Sequence, residues 1–265
     1  MNTYRGHVLG ALLFLGGSLL LAGCWSVQSA IDSGMSAAGE AAGERVGTAI
    51  GERLAATVNL PAAGTAQWNR FMAAQAQVFF SYAMTAGGYW PGSVTYASGE
   101  WTRFELEGQE GEGVQYRFER AYLGDSEANQ WWRVSAEYDE GSWVYEALVD
   151  TSAGRLVRLR ARDPEGNVGE IPVTEETVYP SRQELTEESI EGATTGTVDI
   201  SVPAGTFTAQ RVEYQGMGTG TITWWLSEDV PGGVVQYQVS DDGEEVWTSR
   251  LVEYGGDATT VLDSF

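Results

Sequence analysis

The sequence predicts a mainly β fold of the α+β type, a single curved antiparallel meander sheet with a helix packed on its concave face. Three observations predict it. From Glu100 onward the hydrophobic period is two, the signature of strands. The segments are bounded by Gly, Asp and Pro in short connections, which favour antiparallel neighbours over parallel crossover units. One aromatic-rich helical stretch precedes the strands, and a long twisted sheet that buries one face needs such a filler.

The N-terminus has the layout of a secretory leader. Arg5 is its only arginine, no acidic residue precedes Cys24, and Val8 to Leu21 is almost wholly apolar. Leu21-Ala22-Gly23-Cys24, which holds the only cysteine of the chain, resembles the lipobox of bacterial lipoproteins. The resemblance implies cleavage between Gly23 and Cys24, diacylglycerol on the Cys24 thiol, and a third acyl chain on the new amine. A signal anchor or transmembrane helix is the alternative, but Val8 to Gly23 is 16 residues, short of the roughly 20 that span a bilayer. Several acyl chains make attachment effectively stable. Trp25 stands after the cysteine, in place of the aspartate that retains enteric lipoproteins at the inner membrane. The expected location is therefore the periplasmic face of the outer membrane, with surface exposure left open. Residues 1–23 are the leader, 24–62 an Ala/Gly-rich tether, and 63–265 the β-rich domain with its N-terminal helix.

Composition closes many routes. The whole chain carries a net charge of −22, and losing Arg5 with the leader makes it more acidic still. Such a surface argues against nucleic acid as a partner. All basic residues are arginine, and His7, the single histidine, lies in the leader. Without His, Lys or a free thiol, the mature chain lacks the usual base for a serine nucleophile. It also lacks His- or Cys-ligated zinc and a lysine Schiff base. The expectation is a non-enzymatic protein with no metal and no cofactor.

Within the tether, Gly39, Gly43, Gly47 and Gly51 recur every fourth position, beside Val46, Ile50, Leu54 and Val58. On a helix these form two adjacent stripes. The segment reads either as a helix that docks on the domain or on its own copy, or as a partly helical tether. Ala66 to Thr85 is a stronger helix, with Trp68, Phe71, Met72, Gln75, Val78, Phe79 and Tyr82 at i, i+3, i+4 spacing. Gly87-Gly88 ends it.

The strand segments follow in order: EWTRFELEG, GVQYRFERAYLG, QWWRVSAEYD, SWVYEALVD and RLVRLRARD, then GTVDISVP, FTAQRVEY, TITWWLSED, GVVQYQVSD and EEVWTSRLVEYG. Between the two groups, the stretch around SRQELTEESI is expected to hold a short helix. Pro231-Gly232-Gly233 suits a type II turn, while Asp139-Glu140-Gly141 and Asp241-Asp242-Gly243 suit hairpin tips. The strands have unlike faces: Val157, Leu159 and Ala161 oppose Arg158, Arg160 and Arg162 in RLVRLRAR.

VPAGTFTAQRVEY followed by WWLSEDVPGGVVQYQV resembles a pattern in periplasmic proteins and lipoproteins of Gram-negative bacteria. The matching residues are Val202, Pro203, Ala204, Gly205, Phe207, Trp224 or Trp225, Val230, Pro231, Gly232 and Gly233. The resemblance implies the curved half-barrel of about eleven strands found in the lipoprotein-localisation factors, with helices over its concave side. These residues are turn formers and core aromatics, so they imply a shape and no chemistry.

Three features are candidates for function. Trp131-Trp132 and Trp224-Trp225 each place one indole on either side of a strand, and a half-barrel concavity lined by such rings suits an acyl chain or other amphiphile. The plainer reading is that they fill the core. Arg158, Arg160 and Arg162 form a comb for an anionic group, or more simply pair with Glu and Asp on neighbouring strands. The carboxylate clusters at 174–176 and 241–245 lack the ligand order of a calcium loop. Two carboxylates can hydrolyse a glycan, but no pair is marked out. The expected function is a lipid-anchored binding module for an apolar ligand or an envelope protein, with a structural or assembly role as the alternative.

Overall fold

The computed structural model describes residues 60–84, 89–91, 95–108, 114–138, 141–153, 155–174, 183–215 and 220–265. Gly23, Cys24, the glycine stripe and the Asp139-Glu140 turn lie outside the described residues. Helix α1 (Ala66–Met84) comes first. Thr65 caps it: its hydroxyl accepts the Trp68 amide at 3.2 Å, and its carbonyl accepts Asn69 N–H at 2.9 Å.

An eleven-stranded antiparallel sheet follows. Its first half is β2 (Trp101–Glu107), β3 (Val114–Ser126), β4 (Asn129–Tyr138), β5 (Gly141–Asp150), β6 (Arg155–Arg162) and β7 (Val168–Ile171). Its second half is β9 (Thr194–Val202), β10 (Gly205–Gln215), β11 (Thr221–Leu226), β12 (Val234–Asp241) and β13 (Glu244–Gly255). Each half is a meander, as expected, but the order β7-β6-β5-β4-β3-β2-β13-β12-β11-β10-β9 seams first strand to last in the middle of the sheet. The open edges are therefore β7 and β9. Two three-residue strands, β1 (Tyr89–Pro91) and β8 (Gln183–Leu185), pair in parallel apart from it. The short helix expected near SRQELTEESI is α2 (Glu187–Ala193), capped by the Thr186 hydroxyl on Ser189 N–H.

The turns obey their residues. Gly233 N–H reaches Val230 C=O at 2.8 Å, with Pro231 and Gly232 between and Gly232 at φ +70°, a type II turn. A Cβ on Gly232 would fall 2.3 Å from the Tyr96 ring, so only glycine fits there. Asp242 and Gly243 both have positive φ, 49° and 83°, the primed geometry that matches strand twist.

Helix α1 fills the concave face of the first half. Trp68, Met72, Ala76, Phe79, Phe80, Ala83 and Met84 are buried. Phe71 tilts onto Trp143 and Phe79 onto Tyr145, at 5.7 and 5.5 Å between centroids. Each large side chain buried here contributes roughly 1.5–3 kcal/mol of transfer free energy. The buried face is rotated from the expected one, since Phe71, Gln75 and Val78 are only half-buried. The helix is apolar on several sides, so spacing alone does not select its inner stripe. β6 holds a second departure. Pairing shifts between Leu148 and Val149, so Leu156 opposite Val149 turns inward and Val157 becomes the extra residue, 43% exposed.

Candidate functional site

Three regions bear on function: the concave interior, the convex face and the β9 edge. In the interior, Trp132 and Trp224 are core residues, 4% and 0% exposed. Trp132 meets Tyr96 edge-on at 5.4 Å and Tyr122 at 4.9 Å. A buried cation, Arg120, stands beside them. It donates through Nε to the Tyr96 hydroxyl at 2.5 Å and through Nη1 to the Ala83 carbonyl at 3.1 Å, so it ties the last turn of α1 to β3. Its guanidinium also lies over the Tyr96 and Phe104 rings. Burial pushes the Tyr96 phenol above its ordinary value, opposed by the nearby Arg120 charge.

In the second half, the concave row Tyr214, Val239 and Trp247 is only half-buried. Register aligns Tyr214 with Ile222, Ile222 with Val239, and Val239 with Trp247. Trp247 meets Tyr237 edge-on at 5.1 Å.

The convex face carries most of the other residues singled out in the sequence. Trp131 is buried there at 3% exposure, because residues 257–265 run across it. Phe265 stacks on its ring at 5.3 Å, and the Arg158 guanidinium lies 5.9 Å from the ring centre. Two arginines of the comb, with Arg133 beside them, grip this segment by its carbonyls. Arg158 donates to Ser264 C=O at 2.7 Å, Arg160 to Asp263 C=O at 2.6 Å, and Arg133 to Thr259 C=O at 2.5 Å. Arg158 also donates through Nε and Nη2 to the two Glu170 carboxylate oxygens, at 2.6 and 2.9 Å, and that hydrogen-bonded pair raises its pKa. Arg162 pairs in register with Val168 at the sheet edge and takes no part in this grip. Trp225, on the same side of β11, is half-buried.

Sequence reasoning missed the centre of this arrangement, Glu146. Fully buried on β5, it accepts the Thr260 hydroxyl and Val261 N–H at 2.6 Å and the Ser264 hydroxyl at 2.5 Å. The signal was present in WVYEALV, where a single carboxylate sits in a run apolar on both sides. A buried carboxylate persists only when donors surround it. No group of residues that could hold a metal ion occurs among the described residues.

The third region is the outer edge of β9. Thr195, Gly196, Thr197, Val198 and Asp199 are all exposed. Register puts Val198 opposite Ala209 and Ile200 opposite Phe207 on one face of the hairpin, with Thr197, Asp199 and Ser201 on the other, polar face. Polar pairs fasten β9 to β10: Thr208 donates to Asp199 at 2.8 Å, and the Ser201 and Thr206 hydroxyls lie 2.9 Å apart.

No family model matches the chain, and no curated protein does. Solved structures resemble it at low identity. A chain of the Pseudomonas aeruginosa MucA/MucB complex matches at 12% identity and TM-score 0.41, over 62% of this chain and 53% of that one. This chain thus spans about half the length of that match. A Bacteroides fragilis protein with a YmcC-like fold matches at 11% and 0.32, over 63% and 98%. The Chlamydia trachomatis protein CT021 matches at 10% and 0.38, over 64% and 93%. At such identities nothing about binding or activity carries over from them.

Proposed function

We propose that this chain is a non-enzymatic binding module of the bacterial envelope, held to the membrane by acyl chains on Cys24, that engages a protein partner on its outside. One observation carries the choice of a protein over an enclosed ligand. The concavity of the first half is taken up by α1, whose Trp68, Met72, Phe80 and Met84 are each no more than 1% exposed. An apolar guest there would have to displace the core that holds the sheet and helix together. The lipobox-like Leu21-Ala22-Gly23-Cys24 supports the anchor. The want of Lys, of a second Cys and of any His beyond His7 in the leader supports the absence of catalysis. A second reading rests on the half-buried row Tyr214, Val239 and Trp247, an apolar lining suited to an amphiphile at the rim of the second half.

Two measurements test these readings. The intact mass of the protein extracted from membranes is expected to exceed that of the polypeptide from Cys24 onward by its acyl groups. An unmodified mass rejects the anchor. Native mass spectrometry is expected to find no copurified lipid beyond that anchor, and crosslinking in intact cells to capture a protein. A stoichiometric lipid lost on Trp247→Ala would replace the protein reading with the amphiphile one.

A further inference from the structure

We infer that the outer edge of β9 is a strand-addition site for an extended, basic or neutral peptide with alternating apolar and polar residues. The inference rests on the protein-partner reading above and deepens it.

A sheet edge offers unpaired N–H and C=O groups, and proteins that do not use an edge blunt it with short strands, lysine, proline or a covering element. Among the described residues β9 has none of these: it is nine residues long, without Pro or a basic side chain, with five consecutive residues exposed, and its one bulge, at Thr195, lies at its start and leaves Gly196 to Val202 in regular register. No other described strand pairs with its outer side. The connection to β10 is the two residues Pro203 and Ala204, which makes Val202 and Gly205 a hydrogen-bonded pair. Alternation then points the main-chain N–H and C=O of Thr197, Asp199 and Ser201 away from β10. A guest strand that bonds to them continues the sheet. Its apolar residues would lie beside Val198, 39% exposed, and Ile200, half-buried, and so complete the apolar row begun by Ala209 and Phe207. Its polar residues would meet Thr197, Asp199 and Ser201.

Charge selects the partner. From Glu187 to Val202 the only charged residues are Glu187, Glu188, Glu191 and Asp199, and all four are exposed. A second copy of this chain would bring the same acidic edge and another net −22 with it. Repulsion of that kind keeps the edge from pairing with itself and leaves it to a partner without net negative charge.

The test uses the full chain purified from membranes and a fluorescent, end-blocked synthetic peptide that alternates valine with threonine and has arginine at each end. Its twin carries N-methyl groups on alternate amides. Fluorescence anisotropy is expected to show saturable binding of the peptide and at least about tenfold weaker binding of the twin. Thr197→Pro removes an outward donor that β10 does not use and is expected to abolish binding. Because the twin leaves the protein untouched, it decides the matter even if that variant folds poorly. Equal binding of peptide and twin, or no binding up to about 1 mM peptide, overturns the inference. A photocrosslinking side chain at Thr195, compared in cells with one on the convex face at Ser135, separates the two levels. Protein captured only from Ser135 fails the edge and keeps the partner reading, whereas no protein from either position fails the reading itself.

Discussion

The two edges of the sheet are built in opposite ways. β7 is four residues long, and it is fastened from both sides. On the concave side the Trp68 ring lies against Gly169, where a Cβ would come within 2.7 Å, and its indole N–H donates 3.0 Å to buried Asp163. On the convex side Glu170 is held by Arg158. β9 is more than twice as long, it carries one charged residue, and no described strand pairs with its outer side. Both edges face the same hazard of unwanted pairing, so the contrast between them teaches which end of the sheet is closed as structure and which is left open.

The largest effect should come from unfastening β7. Trp68→Ala removes a fully buried indole together with its bond to Asp163, and urea denaturation should show a loss of about 3–5 kcal/mol. A loss under about 1 kcal/mol would mean that the edge is closed by something other than α1. At β9 the comparison predicts near silence. Val198→Thr should change stability by less than about 0.5 kcal/mol, since an exposed edge position packs against little. A larger loss in the same denaturation experiment would show that the edge is covered. The smallest effect lies in the hairpin that leads back to β6. The Ser152 hydroxyl and the Ala153 amide hold the Asp150 carboxyl below its ordinary value of 3.8. Because the folded value is the lower one, the stabilisation is present above the ordinary carboxylate value and is lost as pH falls through the folded one. A carboxyl titration followed by NMR should place the Asp150 midpoint below 3.8, and a midpoint at or above it would remove the turn's bonds from the account.

What could be read in advance follows the range of the forces involved. The Pro231-Gly232 turn and the Asp242-Gly243 hairpin were legible because φ preference is a property of the residues themselves. The opposite facing of Trp131 and Trp132 was legible because every strand is pleated, and a short helix was expected near Glu187, though not its Thr186 cap. The bulge at Val157 was not, because a register shift is decided by the neighbouring strand. Nor was the inner stripe of α1, where apolar residues occur on more than one side. The fate of the arginine comb was half legible. Its pairing with a carboxylate was foreseen, and Glu170 provides it. The grip of Arg158 and Arg160 on the Ser264 and Asp263 carbonyls joins positions about a hundred apart in the chain, beyond any local pattern. The contrast of edges was hidden too, for strand order depends on which distant strands meet.

The seam between β2 and β13 also governs assembly. Trp101 pairs in register with Gly255, and Phe104 with Leu251, so the first strand of the sheet meets its second neighbour only when the last one has arrived. Contacts between such remote positions slow folding, since a long loop must close before any reward is gained. A nascent chain of this design therefore stays incomplete at its centre until its synthesis is nearly done, and a chaperone would find its work at the middle of the sheet and not at its margins.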